Sequence, residues 1–132
     1  MNPTASTVAA FHAALERGDF EHCSTLFTDD AVIWHNYDQR EQSSADALSE
    51  LARVPALLHF EVVGRDLVGD TCVQRHIVHL CGPGGVTAQF PAIQRIELRD
   101  GLIARIDEYL DPAAVAAAGR EVADRQPSVQ VS

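Results

Sequence analysis

The feature that most constrains this chain is a change of hydrophobic period at Pro55. Before it, apolar residues recur every three or four positions; after it, they alternate with polar ones. Val8, Phe11 and Leu15 share one helical face, and Gly18 is placed as a C-terminal stop. Asp19 is placed to cap a second short helix carrying Phe20, Cys23, Leu26 and Phe27. Thr28-Asp29-Asp30 reads as a turn and Ala31 to Asn36 as a strand. After a polar loop, Ser43 or Ser44 caps a third helix with the stripe Leu48, Leu51, Val54, ended by Pro55. From Leu58 the period is two. Gly69-Asp70, the Gly82 to Gly85 reversal and Asp100-Gly101 then mark off strands of about 71–81, 86–98 and 102–110. Pro91 within the second of these predicts a bulge or a sheet edge. Asp111-Pro112 opens an Ala-rich final helix, and the polar tail from Gln126 is expected to fray. The order is that of an α+β domain over residues 1–125, with helices on one face of a curved sheet and a tail at 126–132. Such a sheet, bent by bulges, encloses an apolar pocket between itself and the helices.

Charge narrows the partners. The 132 residues carry 10 basic and 19 acidic side chains, a net charge of -9, and every basic one is arginine. A chain of that sign repels nucleic acid and anionic membrane surfaces. No run approaches the roughly 18 apolar residues of a membrane span, and the N-terminus lacks the charged and apolar regions of a secretory signal. Cys23, Cys72 and Cys81 are widely spaced and form no C-x-x-C, so they read as reduced thiols of a cytoplasmic protein.

Several positions are placed for chemistry. On the last strand Leu102, Ala104, Ile106, Glu108 and Leu110 share a face on which Glu108 is the one ionisable group. Burial there would raise its pKa and suit it to general acid or base work. The plain alternative is an end-of-strand glutamate that reaches solvent or pairs with an arginine. The first strand and its exit read Trp34-His35-Asn36-Tyr37-Asp38. Trp34 and Asn36 share a face, an apolar wall beside an amide that orients a water or a carbonyl, whereas His35 faces the other way unless the strand is bulged. On the central strand Gln74 and His76 share one face and Arg75 the other; neither face is purely apolar, so both stay open. His76 is a candidate base near neutral pH. Gln94 is the polar member of the apolar row Ala92, Ile96, Leu98 and a candidate ligand contact. No H-E-x-x-H, phosphate-loop or G-x-S-x-G pattern is present, so no metal or organic cofactor is expected.

Three stretches together resemble a family: residues 11–19 (FHAALERGD), 26–34 (LFTDDAVIW) and 99–111 (RDGLIARIDEYLD). They are similar to the SnoaL-like branch of the nuclear-transport-factor-2-like superfamily. The resemblance implies a cone-like barrel made from a strongly curved mixed, mostly antiparallel sheet, with N-terminal helices on its concave face. It also implies a homodimer and an apolar small-molecule ligand. Polyketide cyclases, ketosteroid isomerases, limonene epoxide hydrolases and non-catalytic binders share this fold. Against the epoxide hydrolases, Trp34-His35-Asn36 resembles a water-holding aromatic-x-Asn pair, and Glu108 before Tyr109 resembles the basic carboxylate. Arg75-His76-Ile77 keeps the arginine of an Arg-x-Asp pair but has Ile for the acid. The resemblance therefore implies acid–base chemistry, with Glu108, Asn36, His76 and Arg75 as catalytic candidates. Trp34, Gln94, Gln74, Tyr37 and Asp38 are the candidate substrate contacts. A ligand-binding or scaffold protein of the same fold is the alternative.

Overall fold

The computed structural model describes residues 2–124; the tail expected to fray lies outside them. Helix α1 (Pro3–Glu16) is capped by Asn2, whose side chain accepts from the Thr4 and Ala5 amides. Helix α2 (Phe20–Thr25) is capped by Asp19 and α3 (Ser44–Leu51) by Ser43. Gly18, at φ 69°, supplies the left-handed residue that ends α1. The strands are β1 (Phe27–His35), β2 (Glu41–Ser43), β3 (Leu57–Val68), β4 (Thr71–Cys81), β5 (Thr87–Arg99) and β6 (Leu102–Leu110), followed by helix α4 (Pro112–Asp124). They form one six-stranded mixed sheet in the order β2-β1-β6-β5-β4-β3, open rather than closed. β1 runs parallel to β6, and every other neighbouring pair is antiparallel.

The sheet curls around α1, which packs on β3, β4 and β6, while α4 covers β4 and β5. Two apolar clusters result. One gathers Val8, Phe11 and Leu15 of α1 with Phe27, Ile33, Ile96, Ile103 and Ile106. The other gathers Val78, Leu80, Phe90 and Ala92 under Ala118 and Val122 of α4. Between them, on the same inward face, lies a polar row: Gln74 and His76 on β4 and Gln94 on β5, all buried.

Five local expectations change. Thr28-Asp29-Asp30 is not a turn; it belongs to β1, whose register against β6 shifts between Phe27 and Val32. Ala31, Ile33 and His35 face inward on the same side as Phe27, not Trp34 and Asn36. Part of the expected loop pairs as β2. Pro91 is neither at a bulge nor on an edge strand. β5 is interior, but Pro91 lies one residue beyond the last pairing with β6, Ala92 to Leu110, so its missing N–H interrupts no ladder there. The bulge sits instead between Glu97 and Leu98, opposite Arg105 and Ile103. It turns Ile103 inward and Leu102 outward, whereas Ile106 and Glu108 keep the expected face. The face of β4 left open by the sequence is settled: Cys72, Gln74, His76, Val78 and Leu80 all point into the core.

Candidate active site

Burial at β6 places Glu108 where the sheet meets the space beneath α1 and α3. A cavity of about 380 Å³ opens there. Its walls are mostly apolar, with Phe11 and Leu15 from α1, Leu48 and Leu51 from α3, and Ile33 and Phe60 from the sheet. Strands β1, β5 and β6 contribute the polar groups His35, Gln94 and Glu108, while Tyr37, Gln42 of β2 and Glu50 stand nearer solvent.

These three sheet residues meet because of register. His35 pairs with Glu108 across β1–β6, and Gln94 pairs with Glu108 across β5–β6. His35 Nε2 lies 3.0 Å from Glu108 Oε1, and Gln94 Nε2 donates to Glu108 Oε2 at 2.8 Å. Both oxygens of the carboxylate are thus engaged from opposite sides. Burial alone would push the Glu108 pKa up, as expected from sequence. The hydrogen bond and charge of His35, the Gln94 donor and nearby His76 outweigh it, and the carboxyl is held below its usual range. His35 is raised by its hydrogen bond to Glu108, against its own desolvation. The two shifts run in the directions that each partner's charge favours, and the two side chains are only 17% and 15% exposed.

The other candidates are distributed as follows. Asn36 does not line the cavity. Its backbone N–H donates to the Glu108 backbone carbonyl at 3.1 Å and its side-chain Oδ1 accepts from the Leu110 backbone amide at 3.0 Å, fastening the exit of β1 to β6. Trp34 faces outward, its ring 5.3 Å from that of Tyr109. Tyr37 lines the cavity with its ring 5.1 Å from His35, while Asp38 is exposed and accepts from the Arg40 amide in the following turn. Arg75 is exposed on the opposite face of the sheet, packed over Gly64, and does not reach the cavity. Gln74 and His76 lie inward but behind α1, in contact with His12.

Two inward histidines were not among the residues singled out from sequence, and each leaves a signal there. His35 continues the apolar row Ala31, Ile33. His12 falls on the buried stripe of α1, one residue after Phe11 and four after Val8. His12 Nε2 lies 3.0 Å from Gln94 Oε1, and burial lowers its pKa to about 4. Among the described residues, no group of side chains is arranged to hold a metal ion, and no helix is long and apolar enough to cross a membrane.

A curled, open α+β sheet with a chamber beneath its helices defines the nuclear-transport-factor-2-like class of proteins. Within that class, residues 8–106 match the SnoaL-like domain model, and the chain belongs to that family. No curated protein matches by sequence. Solved structures do match by fold. One is a protein assigned as a SnoaL-like polyketide cyclase from Shewanella putrefaciens CN-32, 15% identical, TM-score 0.76, covering 89% of this chain and 96% of that one. Another is an LEH-like epoxide hydrolase of M. tuberculosis, 20% identical, TM-score 0.76, covering 92% and 88%. A third is a protein with a ketosteroid-isomerase-like fold from Catenulispora acidiphila DSM 44928 in complex with trimethylamine, 18% identical, TM-score 0.73, covering 92% and 97%. At such identities the likeness establishes the fold, which serves many functions.

Proposed function

We propose that this protein is a cofactor-independent enzyme performing acid–base chemistry on an apolar, polyketide- or steroid-like molecule. The reaction class is cyclisation, isomerisation or addition of water. One observation carries the reading: a paired carboxylate and imidazole, Glu108 and His35, facing a chamber that is otherwise nearly apolar. Ionised at neutral pH, Glu108 is the base; His35, holding a proton beside it, is the acid that returns it. Gln94 steadies the carboxylate from the other side. Two carboxylates, Glu108 and Glu50, line the cavity and, among the described residues, no arginine does, which favours a neutral over an anionic ligand.

The test is turnover of a panel of neutral enones, epoxides and polyketone esters by the wild type, Glu108→Gln and His35→Gln. Each substitution is expected to lower kcat about 10²- to 10⁴-fold while ligand affinity changes little. Undiminished turnover by Glu108→Gln overturns the role given to it.

A second reading, a binding protein without chemistry, has its own support. Both oxygens of Glu108 are occupied and the carboxyl is held ionised, which makes it a weak base. That reading predicts saturable binding by wild type and Glu108→Gln alike, with no turnover by either. We also propose a homodimer in the cytoplasm. The outer face of the sheet exposes Val63, Ile93 and Tyr109 around Pro91, an apolar patch suited to a second copy, and the three cysteines are free.

A further inference from the structure

The buried polar row behind the cavity has a direction, and Arg65 sets it. Arg65 Nε lies 2.8 Å from Gln74 Oε1, and a guanidinium N–H only donates. The Gln74 oxygen therefore accepts, and its NH₂ faces the opposite way. That NH₂ lies 2.9 Å from His76 Nδ1 and 3.5 Å from His12 Nδ1, so both ring nitrogens must be bare acceptors. A neutral imidazole with a bare Nδ1 carries its proton on Nε2. His12 Nε2 thus donates to Gln94 Oε1 at 3.0 Å, which turns the Gln94 NH₂ onto Glu108 Oε2 at 2.8 Å. Every amide and ring in the series has one orientation that satisfies its neighbours, and reversing any of them sets donor against donor.

We propose that Arg65, which does not line the cavity, is a positioning residue acting through Gln74, His12 and Gln94 to hold a hydrogen-bond donor on Glu108. The alternative Gln94 orientation would present its oxygen to the carboxylate, a contact that only a protonated Glu108 can satisfy. The same polarity fixes the proton of His76 on Nε2, a buried atom without a hydrogen-bond partner among the described residues. Protonating Nδ1 of either histidine would oppose the Gln74 NH₂, so the row also disfavours their charged forms. His12 is hydrogen-bonded by Gln94, and the charged or titratable groups acting on it are Arg65 and His76, which oppose its protonation, and Glu108, which favours it. The functional consequence rests on Glu108 being the working group; the polarity itself does not.

The experiment is nitrogen-15 NMR of the histidine rings and carbon-13 titration of Glu108 in the wild type, Arg65→Lys and Arg65→Met. These need no substrate, so they stand apart from the fate of the enzymatic reading. In the wild type at neutral pH, His12 and His76 should both be Nε2–H tautomers. A proton on Nδ1 of either one overturns the proposal without any variant. Arg65→Met should give mixed tautomers at His76, whose amide partner is no longer oriented, and, as the row becomes free to reverse when Glu108 takes a proton, an approximately tenfold rise in the proton affinity of Glu108. Arg65→Lys, which keeps a donor, should restore single tautomers. Unchanged tautomers and an unchanged Glu108 titration in Arg65→Met overturn it, since simple loss of a charge would not select a ring nitrogen.

Discussion

At the scale of single residues, the site is a set of titratable groups pushed apart by their surroundings. Glu108 and His35 stabilise each other's charge, while His12 is kept neutral by burial. The sign for His12 follows from linkage. Its folded pKa of about 4 lies below the unfolded 6.5, so its stability contribution is complete above pH 6.5 and is lost as pH falls towards 4. Between pH 7.5 and pH 5 that loss is on the order of 2 kcal/mol. His35, raised by its partner, acts in the opposite direction: its contribution is full in acid and fades as pH rises through its folded pKa. Denaturant melts at the two pH values should show the wild type losing more stability on acidification than His12→Gln, which keeps a donor for Gln94 but does not titrate. Equal losses would mean that His12 is not held neutral in the folded state.

At the scale of elements, turns and caps were legible and bulged strands were not. Asp100-Gly101 forms its hairpin with both residues at positive φ, 54° and 79°, as the dipeptide predicts. Asp19, Ser43 and Asp111 accept amide hydrogen bonds at the starts of three helices, because a short polar side chain before an apolar stripe is a local signal. Gln94 could be placed inward because no bulge interrupts its apolar row between Ala92 and Ile96, and Glu108 because Ile106 lies on its own side of the β6 bulge. His35 could not, since Val32 and Trp34 are as apolar as Ala31 and Ile33, and alternation alone does not choose between the two faces of β1. Arg65 and His12 could not be joined by any local pattern; 53 positions separate them, and only the curl of the sheet brings Gln74 between them. Close packing between elements gives a further prediction. A Cβ on Gly82 would lie 2.5 Å from a methyl of Val122, buried on α4. Gly82→Ala should therefore cost about 1–3 kcal/mol through overpacking. Adding Val122→Ala should recover part of that cost, which a double-mutant cycle of unfolding free energies will show.

For the whole molecule, the two faces of the sheet divide the work. The inner face carries the cavity and the polar row, and the outer face carries exposed Val63, Ile93 and Tyr109. If that outer patch joins two copies, Ile93→Asp should convert a dimer to a monomer in light scattering. It should leave the His35–Glu108 pair intact, because Ile93 points away from the cavity. A wild type that runs as a monomer at all concentrations would remove the patch from consideration as an interface. The parallel pairing of β1 with β6 has a consequence for how the molecule comes into being. A ribosome makes His35 long before Glu108, and until the last strand emerges β1 has only the three residues of β2 to pair with. The hairpins β3–β4 and β4–β5 form from neighbouring sequence, but the seam at β6 must wait for a contact spanning 73 positions. The chamber therefore cannot close before β6 has been made. A chain interrupted before residue 102 would expose its apolar walls without ever assembling the carboxylate and imidazole they enclose.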